Sequence, residues 1–342
     1  MSTTTEAPPE LDQQQFDHLI GKLTAIRDEV GKVIVGQEEI VEQVLLCILA
    51  GGHSLMMGVP GLAKTLLVST LSKVLNLSFK RIQFTPDLMP SDITGSDILE
   101  EQSDGTRQFT FVQGPLFANM VLADEINRTP PKTQAALLEA MQEHRVTAGR
   151  TTYDLSEPFF VLATQNPIEQ EGTYPLPEAQ QDRFMFFLNV KYPERDEEVE
   201  VMNRTTARTS ISLDTVMTGE EIIEAQQYVR DVLIADHITS YAVELGRCSR
   251  TDRGQEGADA IPDFVKDHVH WGSGPRAAQY LILGAKARAF LHGHTHVAIE
   301  DIDAIAHPVL RHRIIVNFAA EAEGITSDDI VDKVIEHVKA RR

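Results

Sequence analysis

The sequence predicts an α/β fold with a central five-stranded parallel sheet, followed by an all-helical second domain. Five short runs are predicted to be strands, and apolar residues at helical spacing follow the first and third of them. The runs span 53–57, 79–84, 120–125, 159–167 and 184–190. Six later segments have helical periodicity, at 194–206, 219–234, 236–249, 274–292, 300–315 and 327–341. We expect the first strand, 53–57, to lie centrally in the sheet.

The chain is predicted to divide into three parts. Residues 1–10 are rich in Ser, Thr, Pro and Glu, which indicates a disordered tail. Residues 11–192 begin with an amphipathic helix at 11–33 and continue through the α/β region, and residues 193–342 form the helical domain. Within the first domain, residues 85–118 interrupt the α/β alternation and contain one predicted strand, 106–112. A functional insertion and an ordinary surface loop are equally compatible with this stretch.

Composition limits the possible functions of the 342-residue chain. Its formal net charge of −20 argues against a broad nucleic-acid surface, which requires clustered Lys and Arg. Cys47 and Cys248 lie far apart, so no disulfide framework is expected and a reducing compartment fits. No apolar run approaches the length that spans a bilayer, and the N-terminus lacks the apolar core of a signal peptide. We therefore expect a cytoplasmic protein.

A phosphate-binding loop is predicted where strand 53–57 meets the next helix. The sequence GVPGLAKT at 58–65 matches G-x-x-x-x-G-K-T except at the second Gly position, which is Ala63. Backbone N–H groups at a helix N-terminus lack intrahelical acceptors and bind phosphate oxygens, while Lys64 supplies positive charge and Thr65 a hydroxyl for Mg²⁺. We expect Lys64 to be the only cation of this cradle. The predicted nucleotide-binding residues here are Gly58, Val59, Pro60, Gly61, Leu62, Ala63, Lys64, Thr65 and Leu66.

Two further strands end in residues suited to nucleotide hydrolysis. Strand 120–125 ends in Asp124, a candidate metal ligand together with Thr65, and Glu125, a candidate general base. Acidic residues are also common where a helix begins, so a purely structural role is the alternative. Strand 159–167 leads to Asn166, a neutral amide that can orient a water molecule or contact the γ-phosphate. Ligands of open α/β sheets bind at the carboxyl ends of the strands, where all three residues are expected.

These motifs, taken in order, resemble the MoxR family of AAA+ ATPases. The similarity rests on GVPGLAKT, LADEINR, ATQNP, LPEAQQDRF and GPRA, and it extends from Val35 to Arg313. The family itself has Ala before the Lys, so Ala63 is not a departure from its pattern. The resemblance implies an AAA+ P-loop domain followed by an all-helical lid domain, with ATP and Mg²⁺ as ligands. It also implies that 85–118 is an insertion in the second helix of the fold.

The resemblance assigns further residues to the nucleotide site. Val35, Gly36 and Gln37 match the segment that packs against adenine. Arg183, after LPEAQQD, matches the arginine that reaches the γ-phosphate bound by an adjacent subunit, although a surface pair with Asp182 is the alternative. No other arginine is expected in the phosphate-facing loops of the first domain. Arg276 opens a lid helix, where the helix dipole disfavours a cation, and is expected to project toward the nucleotide.

The resemblance further implies a homo-oligomeric, hexameric ring that hydrolyses ATP and remodels or metallates a client, with a von Willebrand A domain protein as partner. The residues do not identify the client. Two alternatives remain open: an ATP-binding switch or scaffold with little turnover, and a nucleic-acid-acting motor, which the net charge disfavours.

Other polar groups have weaker functional interpretations. His292, His294 and His296 resemble a metal-ligand set but lie between predicted helices without a suitably spaced carboxylate or Cys partner, which favours a variable loop. Arg145 and Arg150, in a predicted hairpin at 145–153, either face a neighbouring subunit or are solvated.

Overall fold

The computed structural model describes residues 13–59, 61–101, 106–149, 151–167, 172–206, 211–252 and 261–341. The predicted tail at 1–10, Pro60 and Arg150 therefore lie outside the described residues. In these ranges no helix is both long enough and apolar enough to cross a bilayer. Cys47 and Cys248 are both buried as thiols, and burial raises the pKa of Cys47 to about 12.

Eleven strands are formed within the described ranges: β1 (Ser54–Met57), β2 (Phe79–Gln83), β3 (Gly95–Glu101), β4 (Arg107–Gln113), β5 (Met120–Asp124), β6 (Arg145–Ala148), β7 (Thr151–Asp154), β8 (Phe160–Gln165), β9 (Phe186–Asn189), β10 (Val269–Trp271) and β11 (Ile315–Val316).

The α-helices of the described ranges are α1 (Gln13–Gly31), α2 (Glu38–Leu49), α3 (Lys64–Val74), α4 (Pro90–Thr94), α5 (Pro131–Glu143), α6 (Glu178–Gln181), α7 (Arg195–Thr206), α8 (Gly219–Asp231), α9 (Asp236–Cys248), α10 (Asp263–His268), α11 (Pro275–Leu291), α12 (Ile299–Leu310), α13 (Phe318–Glu323) and α14 (Ser327–Ala340). The long helices agree with the predicted periodic segments to within a few residues, except that 300–315 ends as a helix at Leu310.

The central sheet has five parallel strands in the order β2-β5-β8-β1-β9, which confirms the predicted fold class. The middle position belongs to β8, and β1 lies one place from the edge. The prediction that the first strand is central was therefore wrong. Strand order is set by how the crossover helices pack, and the alternation of strands and helices along the chain does not specify it.

Alternate residues of the sheet pack against two different layers, as the period of two in a strand requires. Met56, Leu122 and Leu162 face a large core that also contains α1, α2, α3 and the C-terminal helices. Leu55, Val121 and Val161 face a smaller core formed with α5. Both faces of the sheet are thus covered, which explains why β1, β5 and β8 are mostly apolar, whereas the edge strand β2 carries Lys80, Arg81 and Gln83.

The 85–118 stretch forms α4 and then an antiparallel hairpin of β3 and β4, in which Leu99 pairs with Phe109. The sequence predicted β4 but not β3, because Ser96, Asp97, Glu100 and Glu101 give that strand a polar character. Phe111 stacks on Tyr153 of β7 with ring centroids 4.2 Å apart. The hairpin is thereby fixed at its base to the predicted hairpin of β6 and β7.

In the described residues after 193, the secondary structure is helical apart from an isolated bridge between Leu233 and His296 and a small antiparallel pair, β10 with β11. This pair is too short to produce a strand pattern in the sequence, and it ends the segment that was predicted to be helical up to residue 315. The connection between β9 and α7 contains the predicted domain boundary at 192–193. The division into domains at that point stays a prediction.

The C-terminal helices pack closely on the sheet at Gly284 of α11. A Cβ atom at this position would lie 2.6 Å from Ile305 Cδ1 and 3.1 Å from Met185 Cε. A side chain at this position would have to displace the ends of these neighbouring side chains, so α11 lies close to α12 and to the start of β9.

We expect Gly284→Ala to lower the free energy of unfolding by about 1 kcal/mol, since overpacking costs about 1–3 kcal/mol and exceeds the helix-propensity gain of about 1 kcal/mol. The matched control is Gly21→Ala in α1, where no atom lies within 4 Å of the added Cβ. It should raise the same free energy by about 0.5–1 kcal/mol. Urea titration followed by circular dichroism measures both, and stabilisation by both variants would contradict the close packing.

Candidate active site

A cleft of about 440 Å³ lies at the carboxyl edge of the central sheet, where β1, β5 and β8 end together. It brings together most of the residues that the sequence predicted for phosphate and metal binding. The lining residues are Gly61, Leu62, Ala63, Lys64, Thr65, Leu66, Arg81, Asp124, Glu125 and Asn166.

The loop between β1 and α3 has the backbone geometry of a phosphate cradle. Gly61 has φ of +89°, in the left-handed region that favours glycine. Ala63 is the N-cap of α3 and also has a positive φ, +53°. Because α3 begins at Lys64, its first N–H groups and its positive dipole end are directed at the cleft. The sequence-predicted loop is therefore built as an anion-binding helix terminus.

Lys64 is held within the loop that it serves. Its Nζ donates a hydrogen bond of 2.6 Å to the carbonyl oxygen of Gly58. Burial lowers the pKa of the Lys64 ammonium, and the nearby Asp124 and Glu125 carboxylates oppose this shift. The side chain thus lies between the loop and the two acids, where it can contact a phosphate group and balance their charge.

Asp124 is oriented by a threonine that sequence reasoning did not single out. Thr164 Oγ1 donates to Asp124 Oδ1 at 2.6 Å and accepts from the backbone N–H of Glu125 at 2.9 Å. Thr164 is fully buried in β8, and Ala123 of β5 pairs with its neighbour Ala163. The available signal was its position inside ATQNP, one residue before the strand ends.

Glu125 lies in a strained position beyond the end of β5. Its φ of +58° is unusual for a residue with a side chain, and such strain is concentrated at functional sites. Its Oε2 accepts a hydrogen bond of 2.7 Å from Gln83 and pairs with Arg128 at 3.0 Å. Of the five non-glycine residues with positive φ in the described chain, three are predicted nucleotide-site residues: Gln37, Ala63 and Glu125.

A second cation lies in the cleft, so the expectation that Lys64 is the only one was wrong. Arg81 of β2 donates to Asp124 Oδ2 through Nη2 at 2.6 Å and Nε at 3.1 Å. Arg128 likewise contradicts the expected absence of other arginines, since it pairs with Glu125. The missed signal was the alternation in β2, which places Arg81 and Gln83 on one face, with Gln83 opposite Asp124 in the register.

The donor set of the cleft fits a magnesium ion. Asp124 offers carboxylate oxygens and Thr65 a hydroxyl, the hard oxygen ligands that Mg²⁺ prefers beside substrate phosphates. Asn166, which is 5% exposed, lines the same cleft with a neutral amide.

The predicted adenine segment is not among the described residues that line this cleft, and it borders other cavities. Val35 and Gly36 border one of about 520 Å³, and Gln37 borders one of about 260 Å³ together with Lys191 and Tyr192. A Cβ at Gly36 would lie 2.6 Å from the Glu197 carboxylate of α7. Only glycine therefore fits where this segment meets the start of the C-terminal helices.

Arg183 and Arg276 lie near each other, and neither is among the described residues that line the phosphate cleft. Arg276 Nη1 is 3.3 Å from Asp182 Oδ2. The carbonyl oxygen of Arg183 accepts a hydrogen bond of 3.2 Å from the Tyr280 hydroxyl. The alternative surface pair of Asp182 with Arg183 is replaced by pairs of Asp182 with two lid arginines, Arg276 and Arg313.

One member of the histidine cluster, His292, contacts a glutamate of α2. His292 Nε2 lies 3.4 Å from Glu42 Oε1. In the part of the chain that the structure describes, no group of three or more His, Cys, Asp or Glu side chains could hold a metal ion.

Comparison with known proteins identifies relatives over nearly the whole chain. A family model described as "ATPase family associated with various cellular activities (AAA)" matches residues 53–186, and a model of the AAA lid domain matches 264–334. The chain is 41% identical to Chaperone MoxR1 of Mycobacterium tuberculosis, covering 91% of this chain and 80% of that protein. It is 42% identical to the uncharacterized protein YeaC of Bacillus subtilis, covering 96% of each.

More distant and structural relatives agree. Protein MoxR of Methylorubrum extorquens is 28% identical, over 84% of this chain and 85% of that protein. The crystal structure of a candidate ATPase from Cytophaga hutchinsonii superposes with a TM-score of 0.86 at 43% identity, covering 94% of this chain and 96% of that one. The phosphate cradle, the paired acids and these relatives together show that the chain belongs to the MoxR family of AAA+ ATPases.

Proposed function

We propose that this protein hydrolyses ATP with Mg²⁺ and uses the energy, as an oligomeric ring, for chaperone-like remodelling of a client. One observation carries the proposal: the carboxyl edge of the sheet collects Lys64, Asp124, Glu125 and Asn166 in one cleft beside a helix N-terminus. Positive charge for phosphates, a metal ligand, a base and a neutral amide are the groups that phosphoryl transfer to water requires.

The side chains have separate roles in this proposal. The backbone of 58–66 and Lys64 hold the phosphates, and Val35, Gly36 and Gln37 contact the adenine. Thr65 and Asp124 would hold Mg²⁺, which would supply positive charge to the phosphates when bound. Glu125 accepts the proton of the attacking water, and Asn166 orients that water. Gln83 and Arg128 both bind Glu125 Oε2, so this oxygen can take the role only after both contacts are released.

Arg183 and Arg276 complete the site from outside the cleft. We propose that Arg183 reaches the γ-phosphate bound by the neighbouring subunit of a hexameric ring. Arg276, at the N-terminus of α11, moves from Asp182 to the nucleotide of its own subunit. A guanidinium stabilises the charge that develops during phosphoryl transfer, and supplied in trans it raises the rate by about 10³–10⁵.

We propose that ATP hydrolysis acts on a client protein. Chaperone MoxR1 is similar over most of its length, which supports a chaperone-like role. Membership of the MoxR family supports a von Willebrand A domain protein as partner, a cytoplasmic location, and either remodelling of a client or insertion of its metal cofactor.

A second candidate function is an ATP-binding switch with little turnover. It is favoured by the pairing of both acids with arginines, Asp124 with Arg81 and Glu125 with Arg128. Comparison of turnover between the unaltered protein and Glu125→Gln decides between the two, because a switch would show a negligible difference.

We expect Glu125→Gln to bind ATP normally and to hydrolyse it about 10²–10⁴ times more slowly, because an amide cannot accept the proton of the attacking water. Lys64→Ala should instead weaken ATP binding by about 10- to 100-fold, since a charge-assisted contact contributes about 1.5–3 kcal/mol. Calorimetry and single-turnover hydrolysis separate the two effects. Turnover by Glu125→Gln near that of the unaltered protein would show that Glu125 is not the base.

We expect Arg81→Ala to raise the apparent affinity for Mg²⁺ by about two- to fivefold, because a half-exposed ion pair contributes up to about 1 kcal/mol and Arg81 competes for Asp124. Magnesium titration of ATP hydrolysis measures this shift. Arg145→Ala is the matched control, since Arg145 is similarly exposed but pairs with Glu143. A weaker Mg²⁺ affinity in Arg81→Ala would indicate that Arg81 supports the phosphates instead of competing with the metal.

We expect Arg183→Ala to keep its ATP affinity and to lose turnover by about 10³-fold or more. Mixing it with Lys64→Ala should restore activity, because one variant supplies the phosphate loop and the other the arginine. The control mixture pairs Arg183→Ala with the double variant Lys64→Ala/Arg183→Ala and should stay inactive. Full turnover by Arg183→Ala alone, or equal activity of the two mixtures, would refute the arrangement in trans.

A further inference from the structure

The end of α12 and the turn after it form hydrogen bonds to the main chain on both sides of Arg183. Arg311 Nη1 donates to the carbonyl oxygen of Phe187 at 3.4 Å, and His312 Nε2 lies 3.1 Å from that of Phe184. Arg313 contacts the residues immediately on both sides of Arg183. Three consecutive lid residues thus hold the segment that leads from α6 into β9.

Arg313 makes the densest of these contacts. Its side chain is 1% exposed, and its Nε donates to Asp182 Oδ1 at 2.8 Å. Nη2 donates to the carbonyl oxygens of Asp182 at 2.9 Å and Phe184 at 2.7 Å, and Nη1 to those of Met185 at 3.2 Å and Val309. All five N–H donors of the guanidinium are therefore used, and its plane lies 5.0 Å from the centre of the Tyr280 ring.

The main-chain acceptors of Arg313 lie on both sides of Arg183, and the Arg183 side chain takes no part in these hydrogen bonds. Residues 182, 184 and 185 each present a carbonyl oxygen to one rigid, planar group, so the backbone of Arg183 between them is fixed. Tyr280 adds a hydrogen bond to the carbonyl oxygen of Arg183 itself. The position from which the Arg183 guanidinium extends is thus determined by the lid of its own chain.

Asp182 pairs with both Arg276 and Arg313, and the two pairs differ in burial. The pair of Asp182 with Arg276 spans 3.3 Å, and the Arg276 side chain is 41% exposed, which makes it a weak contact that a phosphate can replace. The pair with Arg313 is buried and hydrogen bonded, and breaking it would leave a charge without compensation. Arg276 can therefore leave Asp182 while Arg313 keeps the segment in place.

We infer that Arg313 is the positioning residue for Arg183: it aligns this arginine for the γ-phosphate held by the neighbouring subunit. The inference rests on the proposed trans arrangement and adds the residue that controls it. The lid of one subunit then acts on two sites, on its own nucleotide through Arg276 and on its neighbour's through Arg313 and Arg183.

An assay with mixed subunits, in which one variant donates Arg183 to another, tests this role separately from nucleotide binding. At an ATP concentration too low to fill its weakened site, Lys64→Ala serves as a subunit that donates Arg183 and adds little turnover of its own, and Arg183→Ala serves as the acceptor with an intact phosphate loop. The double variant Lys64→Ala/Arg313→Met is then compared with Lys64→Ala as donor. We expect its restored activity to be about 100-fold lower, since a displacement of about 1 Å costs about 10² in rate.

A matched control addresses damage to the lid itself. Lys64→Ala/Arg288→Met loses another partly buried lid arginine, which pairs with Asp301 at 2.6 Å and does not hold residues 182–185. This donor should restore activity as well as Lys64→Ala does. Lys64→Ala/Arg313→Lys should give an intermediate value, because an ammonium keeps the charge but cannot match the five-donor fork.

The outcomes separate the inference from the function on which it rests. If Lys64→Ala fails to rescue Arg183→Ala, the trans arrangement is wrong and the positioning role falls with it. If Lys64→Ala rescues and Lys64→Ala/Arg313→Met rescues equally well, only the positioning role is refuted. Equal loss with the Arg288→Met donor would also refute it, because general damage to the lid would then account for the effect. Circular dichroism and size-exclusion chromatography select donor variants that are folded and that assemble to the same extent. A folded Arg313→Lys donor that restores no activity would count against the inference.

Discussion

The parallel pairing of β5 with β8 is the constraint on which the site depends. It aligns Ala123 with Ala163, and the next residues on each strand then meet as Asp124 and Thr164. Because the Thr164 hydroxyl also binds the backbone N–H of Glu125, a slip of either strand by one residue would lose both bonds and turn the side chains of that strand to the opposite faces of the sheet. The register between β5 and β8 therefore fixes the positions of the two acids.

The charges of the cleft follow from this geometry. Two carboxylates at the end of one strand repel each other unless cations lie close, and Arg81, Arg128 and Lys64 provide them. Phosphate and metal ligands would enter a site that is already balanced, so binding exchanges partners instead of adding uncompensated charge. In a chain with a formal charge of −20, these cations come from three separate places: Arg81 from β2, Arg128 from the turn after β5, and Lys64 from α3.

The parts of the site that sequence reasoning identified are those that belong to one local motif. Lys64, Thr65, Asp124 and Glu125 each follow a strand pattern within a few residues, and the structure places all four in one cleft. Thr164 and Arg81 were missed because their roles depend on which strands are neighbours, and periodicity along the chain carries no information on strand order. Arg128 was missed although it lies only three residues after Glu125, its partner. The pair β10–β11 was missed because strands of two or three residues have no detectable period.

Arg183 and Arg276, which we propose complete the site, belong to elements far apart in sequence, and both are linked to Asp182. Asp182 lies between them and is shared with the buried Arg313, so two lid arginines contact the residue before Arg183 with very different exposure. A rigid contact and a replaceable contact on one carboxylate allow α11 to move its arginine while the start of β9 stays fixed. Since Arg313 is bound to the main chain at residues 182, 184 and 185, a lid movement that carries α12 must either move this segment as one body or break several buried hydrogen bonds. The first alternative costs less, and it couples the lid angle to the position of Arg183.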